Sequence, residues 1–189
     1  YIGELEEGEN ILKSVREFGS PLEDSIRPVD YSVLQSAGDY VYPAGPRYYW
    51  KSHFMKEISE NAIDRIIEFC EVVPSTQTTV GLQQFPGAVS RVKQEDTAFS
   101  HRDSQYDLFI ISSWVDQERS DTHIQWTRDF WDAMKSYSTG GVYVNNLGEE
   151  THDQVRAAYL GNYERLVAVK NKYDPTNFFR LNQNIKPTV

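Results

Sequence analysis

The sequence predicts an α+β domain: an antiparallel sheet with helices over one face, then a C-terminal helix and an extended tail. Two long helical patterns lie among strand-like runs, and the helices bracket strands that are not neighbours in sequence. No Gly-rich turns mark a strict βαβα alternation. Leu5, Ile11, Leu12, Val15 and Phe18 predict a short amphipathic helix between Glu4 and Phe18, broken near Gly8 and ended by Gly19 and Pro21. Residues 28–42 read as irregular with one helical turn, and Pro43-Ala44-Gly45-Pro46 as a turn. The aromatic run Tyr48, Tyr49, Trp50 and Phe54 suits a strand. A helix from about Ile58 to Val73 carries Ile58, Ala62, Ile63, Ile66, Ile67, Cys70 and Val73 on one stripe, and Pro74 stops it. Thr78 to Phe85 and Gly87 to Val92 read as strands turning through Pro86-Gly87, and Tyr106 to Trp114 as a third. The second long helix starts at Ser120 or Asp121, either of which can cap it, and ends before Gly140-Gly141. It points Ile124, Thr127, Trp131, Met134 and Tyr137 inward. Val142 to Asn146 reads as a further strand, followed by helices over about 153–159 and 162–173 and by the tail. The two long helices cover one face of the sheet, and the other face must meet something.

Composition narrows the partners. A formal charge of −9 argues against a nucleic-acid backbone and an anionic membrane surface, and suits a small neutral or weakly polar ligand. No apolar run approaches the roughly 18 to 20 residues needed to span a bilayer. Cys70 is the lone cysteine, so no disulfide forms within the chain, and its place on the helical stripe predicts a small buried core residue. His53, His101, His123 and His152 are scattered without close metal-ligand spacing, so no metal site is expected. The compartment stays open.

Strand parity nominates candidate residues. Alternation in Val142-Tyr143-Val144-Asn145-Asn146 puts the valines on one side and Tyr143 with Asn145 on the other, either an exposed face or a site wall. In Tyr106 to Trp114, Asp107, Phe109, Ile111 and Ser113 share a face. An acid on a largely apolar face is either at a frayed strand end in water or in a site, because an unpaired buried carboxylate is costly. In the tail, an extended backbone would present Asn182 and Asn184 on one side.

The tail Tyr173-Asp174-Pro175-Thr176-Asn177-Phe178-Phe179-Arg180-Leu181-Asn182-Gln183-Asn184-Ile185 resembles the closing segment of the berberine bridge enzyme-like FAD-linked oxidoreductases. These belong to the vanillyl-alcohol oxidase/PCMH-type flavoprotein superfamily. Gly141-Val142-Tyr143-Val144-Asn145-Asn146-Leu147-Gly148-Glu149-Glu150 resembles the family's Tyr-x-Asn strand, and Thr97-Ala98-Phe99-Ser100-His101-Arg102-Asp103 a loop entering an active-site strand. The resemblance covers the last 90 residues and extends more loosely back to about Arg47.

It implies the C-terminal portion of an oxidoreductase whose FAD-binding half lies elsewhere, upstream or in a complementary chain. Residues 1–146 would be a substrate-binding domain incomplete at its N-terminus, and 147–189 the berberine-bridge-type segment returning to the FAD-binding domain. Tyr143 would approach the reacting hydroxyl, with Asp107 as its catalytic companion. Asn145, Tyr143, Asn182 and Asn184 would contact FAD, and Phe109, His101 and Asn146 would contact substrate; His101 with Arg102 could instead order the loop, and Asn182 and Asn184 could belong to a hydrogen-bonded tail with no cofactor role. Asn146 stands where relatives often carry an aromatic. Phe178, Phe179 and Leu181 are expected as core anchors. The implied reaction is oxidation of a hydroxylated small molecule, sugar or alcohol, by hydride transfer to flavin N5 with Tyr-assisted deprotonation. A phenol has a pKa of about 10, so Asp107 is better placed to receive the proton through Tyr143 than to activate it. FAD would be attached covalently through residues this chain lacks, and the isolated polypeptide would be colourless and inactive. A different class of reading also fits the residues: a non-catalytic carbohydrate- or ligand-binding module with Tyr48, Tyr49, Trp50 and Trp114 as stacking platforms.

Overall fold

A computed structural model describes residues 1–85, 87–148 and 152–189, with the His152 side chain left aside. The chain divides into two units, Tyr1–Ala44 and Gly45–Val189. The first holds α1 (Leu5–Arg16) and a short α2 (Tyr31–Ser36). The expected break in α1 is absent. Gly8 is helical, its N–H donating to Glu4 O at 3.0 Å, and the Tyr1 ring lies over it, where a Cβ would stand 2.8 Å from Cδ1.

The second unit is built on a three-stranded antiparallel sheet, ordered β1 (Arg47–Met55), β3 (Tyr106–Trp114), β2 (Thr79–Gln84). Two long helices, α3 (Glu60–Glu71) and α5 (Ser120–Met134), belong to its covered side, where α5 packs on β1 and β3 and α3 packs on α5. The expected α+β architecture is therefore present. Leu108 and Ile110 of β3 meet Met55, Ala62, Phe130 and Met134 in a core closed to solvent. Several polar groups on this side find partners across the layers, although the Nδ1 atoms of His53 and His123 and Nε1 of Trp126 are buried without one. His53 Nε2 lies 2.8 Å from the Trp131 carbonyl, and Trp131 Nε1 donates to the Ser52 carbonyl at 2.9 Å. Ser112 pairs with Thr127 at 2.6 Å.

Several elements depart from expectation. Ser59 caps α3, its Oγ accepting from Ala62 N at 3.3 Å. The stripe that packs is Ala62, Ile66 and Phe69; Ile63, Ile67 and Cys70 are exposed, because the core touches a narrower arc than the apolar pattern suggests. The predicted strand over 87–92 is instead α4 (Ala88–Arg91), because Gly87 at φ +90° turns the chain off the sheet. Pro86 of the expected turn lies outside the described residues. Neither Ser120 nor Asp121 caps α5. Asp116 accepts from Glu118 N at 3.0 Å to start a 3₁₀ turn, and Ser120 is the first residue of α5. Along α5, His123, Thr127, Phe130 and Met134 are buried, while Ile124 and Trp131 are only half-buried, as is Tyr137 in the 3₁₀ turn that follows.

A second core forms around α6 (His152–Tyr159) and α7 (Tyr163–Tyr173), where Val155, Ala158, Tyr163 and Val167 meet Val142 and Leu147.

Candidate active site

The site begins with parity on β3. Asp107, Phe109, Ile111 and Ser113 share the face away from α5, with Asp107 set between Phe54 of β1 and Gln83 of β2. Asp107 is not a frayed end: it is only 1% exposed. Asn146 Nδ2 donates to its Oδ2 at 2.8 Å, while its Oδ1 and the neighbouring Ser52 Oγ are buried and neither completes a well-formed hydrogen bond, although the hydroxyl stands close enough to favour the carboxylate. Burial pushes the carboxyl up to about 6, against the opposing pull of Ser52 and Asn146. Phe109 is half-buried, its ring lying on Gly81, where an added Cβ would meet Cζ at 2.3 Å.

The expected strand over 142–146 is a turn. Thr139 N and Gly141 O bond to Phe54 at the outer edge of β1, at 2.8 and 3.2 Å. The chain then closes on itself, with Asn146 N donating to Tyr143 O at 2.9 Å and residues Val144–Asn146 forming a 3₁₀ turn. Consecutive asparagines favour turns over a ladder, which overrides the Val-x-Val alternation. Glu149 and Glu150 of this motif lie outside the described residues. Tyr143 and Asn145 still come together, because Asn145 Nδ2 donates to the Tyr143 hydroxyl at 2.8 Å. The Tyr143 ring is half-buried among Phe54, Phe85 and Phe99, with centroids 6.0 to 6.2 Å away. Asn145 is exposed, and both residues line a cavity of about 410 Å³ whose other walls include Phe85, Phe99, Arg102 and Tyr159.

His101 is buried and holds the loop. Its Nε2 lies 3.1 Å from the Ala157 carbonyl, and its ring presses on Gly141, where a Cβ would stand 2.2 Å from Cε1. Burial lowers its pKa. One edge of His101 lines a larger polar groove of about 780 Å³ with Lys56, Asp103 and Thr139. Arg102 donates to the carbonyls of Phe99 and Val89 at 3.1 and 3.3 Å.

The tail differs from its expected form. Asn182 sits at φ +59° and its carbonyl accepts from Asn184 N at 2.9 Å, so a tight bend replaces the extended alternation. Asn182 is exposed, while the Asn184 Oδ1 is buried without a partner. Phe178, Phe179 and Leu181 are 76%, 77% and 86% exposed, so they anchor no core among the described residues. The intervening Gln183 reaches the site instead, its Nε2 donating to Leu147 O at 2.7 Å. Gln183 and Asn162 escaped the sequence reading. Asn162 Nδ2 holds the carbonyls of Gln94 and Thr97 at 2.7 and 2.8 Å, and a single amide of this kind leaves no periodic signal. Trp114, a platform in the binding-module reading, is buried and stacked on His123 with centroids 4.9 Å apart.

Comparison with known proteins bears on these features directly. The family described as berberine and berberine-like matches residues 142–186, a stretch that holds the Tyr143 turn, α7 and the tail. Residues 142–186 are thus a berberine and berberine-like segment, and the chain as a whole is similar to the FAD-linked oxidoreductases that carry it. An FAD-linked oxidoreductase of Dictyostelium discoideum is 29% identical over 189 residues, covering 99% of this chain and 41% of its own length. The solved structure of BBE-like 28 from Arabidopsis thaliana shares the fold across 100% of this chain and 46% of its own, with a TM-score of 0.75 and 23% identity. That of a glycopeptide hexose oxidase complexed with teicoplanin covers 76% of this chain and 33% of its own, with a TM-score of 0.68 and 23% identity. The chain thus spans under half the length of these relatives. The berberine-like segment suits the ring portion of a flavin. Asn145 offers an exposed amide and Asn184 a buried carbonyl oxygen lacking a partner. The sequence contains no Gly-rich phosphate-binding turn for the dinucleotide portion.

Proposed function

We propose that this chain forms the substrate-facing part of an FAD-dependent oxidoreductase acting on a hydroxylated small molecule, a sugar or an alcohol. The observation that carries the reading is Asp107. It is a buried carboxyl with one oxygen short of a well-formed hydrogen bond, on the sheet face away from the helices, joined through Asn146 to the turn that bears Tyr143. A carboxyl held near 6 can receive a proton at neutral pH, which a surface carboxyl does poorly. Tyr143 contributes a hydroxyl that binds the substrate oxygen and passes its proton towards Asp107. The Asn145 amide donates to the same phenolic oxygen, a bond that strengthens as that oxygen gains negative charge. Phe109 and Ser52 share the sheet face that carries Asp107, and Phe54, Phe85 and Phe99 pack around the Tyr143 ring. A bound FAD would supply the two-electron acceptor for the substrate carbon. Asn145, Asn182 and Asn184 would hold it from this side, with the dinucleotide portion and any covalent attachment supplied by residues outside this sequence. A sugar or alcohol substrate accords with the hydroxyl-directed pair and with the hexose oxidase among the structural neighbours.

The test is Tyr143→Phe in the intact flavin-loaded protein, assayed against a panel of sugars and alcohols. Turnover should fall by about 10²-fold or more while KM changes by only a few-fold. Unchanged turnover would remove Tyr143 from the chemistry. Residues 1–189 expressed alone should show no flavin absorbance.

A further inference from the structure

We propose that Asn146 is a positioning residue: its side-chain amide pins the Tyr143–Leu147 turn to Asp107, so the charge on Asp107 sets how firmly Tyr143 is held. The inference rests on the roles proposed above for Asp107 and Tyr143 and deepens them. Among the described residues, hydrogen bonds to Phe54, Gln183 and Asp107 tie this turn to separate segments. Gly141 O accepts from Phe54 N at 3.2 Å before it, Leu147 O accepts from Gln183 Nε2 at 2.7 Å at its end, and Asn146 Nδ2 donates to Asp107 Oδ2 at 2.8 Å within it. The first two are neutral amide contacts whose strength does not follow pH. The third ends on an ionisable group.

The groups that face Asp107 are Ser52 and Phe54 from β1, Gln83 from β2 and Asn146 from the turn, and none of these titrates. Asp107 is therefore the titrating group of this set; His101, whose ring packs 4.7 Å from that of Phe54 and presses on Gly141, titrates below the usual imidazole range, and Asp107→Asn separates the two. A proton arriving on the carboxyl finds Oδ1 without a partner and leaves Oδ2 to the amide. The bond to Asn146 survives protonation but loses its charge assistance, about half its strength. The turn is then tight when Asp107 is ionised and looser when it is neutral. With the carboxyl held near 6, that change falls within reach of physiological pH. The same bond stabilises the anion, so removing it must raise the proton affinity of Asp107 further. Asn146 thus links proton occupancy at the sheet to the placement of the phenol three residues before it in the chain.

The experiment is an infrared titration of the intact protein, following the carboxylic-acid carbonyl band that Asp107→Asn abolishes. A fluorotyrosine at position 143 gives a parallel fluorine NMR signal. The wild-type protein should show both signals changing with one midpoint. Asn146→Leu should raise the infrared midpoint by about one pH unit and remove the pH step at position 143. Asn146→Ser, which keeps a short donor and tolerates the turn, should shift the midpoint less. Equal midpoints in wild type and both variants would overturn the proposal. So would a shifted midpoint with an unchanged signal at position 143. If both signals move as expected but the pH profile of turnover does not follow, the pairing stands and the chemical role given to Asp107 falls.

Discussion

The two faces of β3 carry the same backbone and opposite chemistry. Towards α5, Leu108 and Ile110 are closed from solvent, Ser112 finds Thr127, and His53 of the adjacent strand is neutral and stacked on Trp131 with centroids 4.7 Å apart. Burial holds His53 down to about 4, so its ring enters the core without a charge, and its unpartnered Nδ1 costs far less than a buried ion would. One residue away, the opposite face buries Asp107 with one oxygen lacking a hydrogen bond and leaves Phe109 and Ile111 half-exposed. An unsatisfied buried carboxyl opposes folding, and such groups persist where function requires them. The difference separates what this sheet does for stability from what it does for the site.

The largest expected effect tests the first side. Phe130→Ala, in a ring stacked 4.7 Å from Phe69 and fully buried, should cost about 3–5 kcal/mol in denaturant unfolding. Phe109→Ala should cost about 1 kcal/mol, and equal costs would erase the contrast. Next, Asp107→Asn should stabilise the protein at pH 7 by up to about 3 kcal/mol while turnover collapses, because the carboxyl raised from 3.8 to about 6 opposes folding once ionised. A stabilised variant with full turnover would remove Asp107 from the site. A third effect lies in pH. Between about pH 4 and 6 the folded protein binds more protons at Asp107 than the unfolded chain does, so that group's contribution falls as pH rises. At His53 the folded protein binds fewer protons between about 4 and 6.5, so its contribution falls as pH drops. The two slopes oppose each other at about 1.4 kcal/mol per pH unit. Asp107→Asn should tilt the stability profile upward with pH relative to wild type, and His53→Phe downward. Parallel profiles would show that neither group is buried as described. The smallest effect is Trp131→Phe, which loses the bond to Ser52 O and should cost about 1 kcal/mol by thermal unfolding.

Much of this contrast was legible in the residues. The alternation from Tyr106 to Trp114 fixed both ends of β3 and assigned Asp107 and Phe109 to the face away from the helices. The pattern in α5 found its start, but the α-helix ends at Met134, Tyr137 falls in a following 3₁₀ turn, and the packed arc centres on His123, Thr127, Phe130 and Met134. Residues 142–146 misled because two valines in alternation resemble a strand, while the outer edge of β1 takes up only Thr139 and Gly141 before two asparagines close a turn. Cys70 misled for a related reason: periodicity reports which residues are apolar, and the contact area of α5 decides how many are covered. Gln183 and Asn162 were silent, since a lone amide declares its partner only once distant segments meet.

Gly141 has a consequence for how this scaffold can change. Any side chain there must first displace the imidazole of His101, and with it the tie to Ala157 and the seat of the whole loop. At position 146, five residues on, the constraint is a hydrogen bond and not a steric one: a side chain that keeps a donor keeps the tie to Asp107, and an apolar one loses it. The molecule thus pairs a steric pivot with a polar latch. Libraries aimed at altered selectivity should spare the pivot and retain a donor at the latch.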